Sequence, residues 1–216
     1  MLSGGIGVPS SHPGFSGYTV SCRIHGFVLD ALADVGLDTH RVLAACGGLE
    51  LGDDPDRRLP VESLLSLWER AVDVADNPDL GLQAAERIPL GARAALDYLL
   101  RSAPTLGEGI VLGSRYARVL DDTVLVSVEH RGNTVDVVCR APETVVLQRV
   151  HHDYRLARLM STIRGYLGKR IVPAEVHFPY PKPDHTRVHR ALFGSTLRFN
   201  RPDGRLRLPA EWLEWR

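Results

Sequence analysis

At Asp122 the hydrophobic period of the chain changes from that of a helix to that of a strand. Before this point apolar residues recur every third or fourth position. After it Val124, Val126 and Val128 alternate with other residues, and so do Val135, Val137 and Cys139. Side chains return to one face every ~3.6 residues in a helix and every second residue in a strand, so neither pattern settles in the other's conformation. Gly132-Asn133 separates the two alternating runs and suits a two-residue hairpin turn of type II′. With Arg131 and Thr134 flanking that turn, Val128 faces Val137, Val126 faces Cys139 and His130 faces Val135, which gathers the apolar residues on one side. The same register sets Glu129 opposite Asp136. Two like charges are tolerated there in water, so that face is expected to be at least partly exposed.

Upstream of the switch the spacing predicts a helix over Val20, Ile24, Val28, Leu32 and Val35, stopped by Gly36. Asp38 can cap a second helix ending near Gly47-Gly48, and Pro60 suits the first turn of a third, which runs through Trp68 to Ala75. Shorter helices follow over Leu80 to Glu86 and Ala92 to Arg101. Thr105 and Glu108 form a capping box before a helix striped by Leu106, Ile110, Gly113, Ala117 and Leu120. The small residues at 113 and 117 would let a neighbouring element come close. Downstream of the hairpin a long helix is expected from about Glu143 to Leu167, a strand over Ala174 to Phe178, and a helix from Asp184 to Phe193. Two last strands, Thr196 to Asn200 and Arg205 to Leu208, are joined by Pro202-Asp203-Gly204. The fold class is therefore α+β: a helical first half, then a β-β-α-β-α-β-β half forming one mainly antiparallel sheet with helices packed on it. Residues 1–17, rich in Gly, Ser and Pro, read as a flexible arm; 18–209 read as the folded domain and 210–216 as a tail.

Several functions are disfavoured. Lys plus Arg number 26 and Asp plus Glu 26, so the net charge is +0, which gives no basic face for gripping phosphates. Cys22, Cys46 and Cys139 form neither a CxxC pair nor a zinc pattern and read as small buried hydrophobes. There is no secretory signal and no apolar run long enough for a bilayer, so a reduced, cytoplasmic setting is expected. No nucleophile elbow, P-loop or dinucleotide fingerprint occurs. His185-x-x-x-His189 has metal-like spacing without a third ligand and reads as a surface helix. A haem would need an axial ligand, and between Gly107 and Leu120 only Tyr116 offers one. No metal or cofactor is expected, and no enzymatic activity.

The candidate binding residues lie where polar or aromatic groups interrupt apolar faces. On the long helix the stripe Leu156, Leu159, Met160, Ile163 and Leu167 runs backwards into Arg149 and His152, and a neighbouring stripe includes Tyr154. Buried polar groups need partners, so Arg149, His152 and His130 either point into a cavity and hold a polar ligand group or are solvated where the helix emerges. Trp68, Tyr98 and Tyr116 either pack the core or line the same pocket with an indole or phenol.

Ordered landmarks also run along the chain: Arg58-Leu59-Pro60, Leu67-Trp68, Asp79-Leu80-Gly81-Leu82, Pro104-Thr105-Leu106-Gly107-Glu108, Val176-x-Phe178 and Phe193-Gly194-x-x-Leu197-x-Phe199. Over roughly residues 18–209 this pattern resembles the amino-terminal effector domain of one branch of the AraC/XylS transcription regulators, the branch labelled arabinose-binding. The resemblance implies a domain that binds a small-molecule effector and forms a homodimer. It implies promoter DNA as a partner only through a carboxy-terminal helix-turn-helix domain that does not appear among these residues, and no membrane partner. It does not fix the effector, because fold does not fix ligand. The alternative is a ligand-free interaction domain that pairs with a full-length regulator; an interior without a cavity of ~300 Å³ or more would favour it. The long helix and the Arg-rich stretch after it are candidate dimer surfaces.

Overall fold

The structure, a computed structural model, describes residues 17–89 and 95–216, with the backbone alone at 95 and 96. The arm expected over residues 1–17 lies, apart from Gly17, outside the described residues, as does the expected helix start at Ala92. The first half holds β1 (Thr19–Ser21), α1 (Cys22–Asp34), α2 (Thr39–Ala45), β2 (Arg58–Pro60), α3 (Val61–Ala75), α4 (Leu80–Ala85), α5 (Ala95–Ser102) and α6 (Leu106–Leu120). The second half holds β3 (Leu125–Arg131), β4 (Thr134–Arg140), α7 (Arg149–Leu167), β5 (Glu175–His177), α8 (Arg187–Phe193), β6 (Thr196–Arg198), β7 (Gly204–Pro209) and a 3-10 turn at Ala210–Glu214.

Local chemistry sets most of these boundaries. The Asp38 carboxylate accepts from the His40 and Arg41 N–H groups to start α2, and the Thr105 hydroxyl accepts from Glu108 N to start α6. Gly168, at φ 62°, ends α7 in the left-handed region. Two starts differ from expectation. Residues 143–148 are not helical: Val145 N closes a turn onto Pro142 O, and Gln148 caps α7, which begins at Arg149. Thr186, not Asp184, precedes α8.

The α+β class holds, but there are two sheets where one was expected. β1 and β2 pair antiparallel as a separate ribbon, each too short for an alternating pattern to register. The main sheet has the order β3-β4-β7-β5-β6, antiparallel except for the parallel β5–β6 pair. The hairpin register is the expected one, with Val128 opposite Val137, Val126 opposite Cys139 and His130 opposite Val135. Gly132 takes φ 62° at the turn.

One face of the main sheet packs Val135, Val137, Val176, Leu206 and Leu208 against Leu156, Met160 and Ile163 of α7. A second cluster joins α1, α3 and α4 through Val28, Leu32, Leu64, Leu67, Trp68 and Leu80, and Val150 of α7 belongs to it as well. Helix α7 therefore sits between both cores. Its closest neighbour is α4. A Cβ at Gly81 would lie 2.5 Å from the Val150 carbonyl oxygen and 3.3 Å from Tyr154 N, so only glycine permits this approach.

The opposite face of the sheet is a lattice of ion pairs. Asp136 accepts from Arg131, Arg205 and Arg207 at 2.7–2.9 Å. Glu129 pairs with Arg140 at 2.8 Å, and Glu175 with Arg207 and Arg198 at 3.3 Å. Glu129 and Asp136 stand opposite each other as expected, and the face is partly exposed at Glu129, Arg131 and Arg140, but Asp136 itself is not in water. Asp136 is 0% exposed, because arginines from three strand positions lie over it and supply the countercharge. Burial alone would raise its pKa, but the hydrogen bonds and charges of Arg207 and Arg205 outweigh this and lower it from 3.8 to about 2.

Two outcomes follow. Gly81→Ala gains ~1 kcal/mol of helix propensity but drives a methyl group into backbone, so a net loss of roughly 1–2 kcal/mol is expected, read as a lower Tm by thermal melt. The depressed Asp136 pKa contributes stability that is full above pH ~4 and lost as pH falls towards ~2. Asp136→Asn should remove roughly 2 kcal/mol at pH 7 and flatten that acid limb in urea titrations.

Candidate functional site

Helices α6 and α7 do not close fully on each other. Between them runs a slot of about 150 Å³, floored by Val126 and Cys139 of the hairpin. Its α6 wall is Leu106, Gly109, Ile110, Gly113, Ser114, Ala117 and Leu120, one face of that helix from end to end. The facing wall is Tyr154, Arg155, Arg158, Leu159, Thr162, Ile163 and Tyr166 of α7. Glycine shapes the α6 side. A Cβ at Gly113 would stand 2.7 Å from Leu100 Cδ2, so α5 leans on α6 there, as the small residues at 113 and 117 led one to expect of a close neighbour.

The slot is apolar with one charged end. Arg155 donates from Nη1 to Thr123 O at 3.2 Å and from Nη2 to Thr123 Oγ1. Asp121 spends Oδ1 on the Thr123 N–H and hydroxyl, and its Oδ2 stands 3.6 Å from Arg155, an ion pair longer than a hydrogen bond. One turn further on, Arg158 donates from Nη1 to Ile88 O at 2.8 Å. Three of the wall hydroxyls already donate to backbone: Ser114 to Val111 O, Thr162 to Arg158 O and Tyr166 to Ala103 O.

Of the seven residues singled out from the sequence, the slot takes one. Tyr154 lines it, with its ring 4.7 Å from that of Trp68. Trp68 itself is 1% exposed and packs in the first-half core, away from the slot lining. Tyr98 and Tyr116 are 73% and 40% exposed, on the outer sides of α5 and α6. His130 is exposed on β3 near the turn end of the hairpin. His152 sits with its ring 6.2 Å from that of Tyr180; burial, aided by the nearby Arg155 charge, lowers its pKa to about 4.

Arg149 belongs to a second, solid cluster. It pairs with Asp79 of the α3–α4 connection and, through Nε at 3.2 Å, with Asp153, which is 0% exposed. The Tyr180 hydroxyl donates to the same Asp153, and His189 Nε2 lies 3.2 Å from Asp153 and 2.9 Å from the Tyr180 oxygen. The tyrosine proton goes to the carboxylate, so Nε2 carries the hydrogen of His189. Burial first, and then the Asp153 charge, raise the Tyr180 pKa. This acid–tyrosine–histidine group has no open cleft: its three members are 0–8% exposed. It ties α7 to the β5–α8 connection. The expectation that His185 and His189 share a surface helix is corrected, since His185 precedes α8 and His189 is 0% exposed.

A family model for the arabinose-binding domain of AraC transcription regulator, N-terminal, matches residues 36–216. The chain belongs to this family. The ornithine utilization regulator of Pseudomonas aeruginosa is 29% identical over 194 residues, which cover 87% of this chain and 56% of that protein. The crystal structure of the transcriptional regulator CdpR from Pseudomonas aeruginosa superposes with a TM-score of 0.62 at 20% identity, over 87% of this chain and 56% of CdpR, a likeness of fold. The chain thus spans about half the length of these relatives. Several landmarks of this AraC-type domain now have physical roles: Asp79 pairs with Arg149, Gly81 admits α7, Trp68 fills the first core and Thr105 starts the slot wall.

The AraC-type domain also carries a histidine held neutral. His151 Nδ1 accepts from Gln148 N at 3.1 Å and Nε2 donates to Leu65 O at 3.2 Å, which satisfies the uncharged ring. Burial, with the Arg155 charge assisting, lowers its pKa from 6.5 to about 3. Below pH 6.5 the unfolded chain takes up a proton that the folded chain refuses, so stability is full above that pH and falls as pH drops towards 3. Unfolding free energies from urea titrations at pH 7.5 and pH 5 should differ by roughly 2 kcal/mol from this group, and His151→Gln should remove that share while the similar share of His152 remains.

Proposed function

We propose that this chain is the effector-sensing and dimerising part of an AraC-type bacterial transcription regulator, and that the α6–α7 slot is where the effector binds. Residues 18–209 carry this role. The observation that supports the reading is a largely apolar slot, with an arginine at one end, inside a member of a family described as a ligand-binding domain. The slot is smaller than the ~300 Å³ of common ligand pockets but matches the ~150 Å³ cavities that take a benzene-sized guest. By volume the slot falls short of the ~300 Å³ mark, which on its own favours a pairing domain; family membership is what supports sensing over that alternative. DNA contact belongs to a further domain of the full regulator, and the relatives are named as regulators rather than enzymes.

The test is a thermal-shift screen of small metabolites, including sugars, amino acids such as ornithine, and organic acids, with light scattering alongside. A dimer is expected, and one ligand class should raise Tm. Ligand at ~100 times its Kd adds about 2.7 kcal/mol. A monomer that no metabolite stabilises would overturn the reading.

A further inference from the structure

We infer that the slot selects a hydrophobic monocarboxylate: an alkyl or aryl body of about six to eight carbons lying between α6 and α7, with its carboxylate at Arg155. This rests on the slot being the effector site.

The slot lining runs the length of α6, about 21 Å at 1.5 Å per residue, yet encloses only about 150 Å³. A thin space of this kind suits a chain or a single ring. The α6 wall is aliphatic over most of that length, and Leu159 and Ile163 face it from α7, so an apolar body is driven into the slot by burial.

The polar groups decide the rest. A sugar brings four or more hydroxyls, each costly to bury unpaired. The wall hydroxyls of Ser114, Thr162 and Tyr166 already donate to Val111, Arg158 and Ala103 carbonyls, so they have no proton left to give a sugar oxygen. A diamino acid would bring ammonium groups towards the Arg155 and Arg158 guanidiniums, and like charges in a poorly solvated slot repel strongly. A carboxylate meets two guanidiniums there, Arg155 and Arg158, against the one Asp121 carboxylate that lines the same end. Arg155 has five N–H donors, of which Thr123 takes two, and the Asp121 oxygen facing it stands 3.6 Å away. Donors therefore remain for a charge-assisted hydrogen bond to an incoming carboxylate.

The experiment measures Tm and Kd for this chain with octanoate, phenylacetate, 1-octanol, L-arabinose and L-ornithine. Octanoate or phenylacetate should raise Tm, and 1-octanol should bind at least ~10-fold more weakly than octanoate. Arg155→Gln should weaken octanoate by roughly tenfold and leave 1-octanol unchanged. Ala117→Leu should fill the slot and abolish both, with the unliganded Tm close to that of the parent. If Arg155→Gln does not fold, the octanoate-to-octanol ratio and Ala117→Leu still decide. Equal binding of octanol and octanoate would overturn the role of Arg155. A shift with arabinose or ornithine and with neither acid would overturn the ligand class while leaving effector sensing intact. No shift with these probes or with the wider metabolite screen would overturn both readings.

Discussion

Burial of α7 on almost every side is the constraint from which the rest of the structure follows. Leu156, Met160 and Ile163 face the sheet, Val150 and Tyr154 face the first-half helices, and Gly81 lets α4 lie against its backbone. A helix covered this way has no solvated face for its polar residues. His151 is held as a neutral ring between two backbone groups, Asp153 is held by Arg149, Tyr180 and His189, and Arg158 reaches Ile88. Each tie crosses to a different element, so the polar residues of α7 fix which neighbours pack where, as buried polar groups that must find partners do. Along α6 the covering is incomplete, and there the slot appears.

How much of this could be read from residues alone depends on the distance between partners. The hairpin was legible residue by residue because period and turn lie within one short segment: the pairs 128–137, 126–139 and 130–135 stand as the alternation requires. The start of α6 was legible because Thr105 and Glu108 are three positions apart. The start of α7 was not, because Val145 and Val146 extend an apolar spacing that the turn at Pro142 interrupts. The Asp136 clamp was illegible for a different reason. Arg205 and Arg207 are strong neighbours only through the β4–β7 pairing, about seventy positions away in sequence. Without them, two acids opposite each other read as a solvated face.

The candidate site shows the same division. Tyr154, read from the sequence as part of a stripe neighbouring the main apolar one, lines the slot. Arg155 and Arg158 were passed over because one-dimensional spacing sets them beside the apolar stripe, where arginines are usually solvated. Arg149 and His152 drew attention for the right reason, being polar residues at buried positions, and the structure places Arg149 in the Asp153 cluster and His152 beside Tyr180. The usable signal was on the other helix: Gly109, Gly113 and Ala117 leave room on one face of α6, and a neighbour fills only part of it.

The 3-10 turn at the end of the described chain is fastened to the same helix. Leu106 N donates to Trp215 O at 2.9 Å, Leu213 is buried against Gly107, and Lys169 at the end of α7 lies 3.8 Å from the Trp215 ring. Contacts from the start of α6 and from just after α7 both converge on Trp215, whose ring lies 5.1 Å from that of Trp212. Trp215 therefore joins the first residue of α6 to the segment just after α7, the two helices that wall the slot.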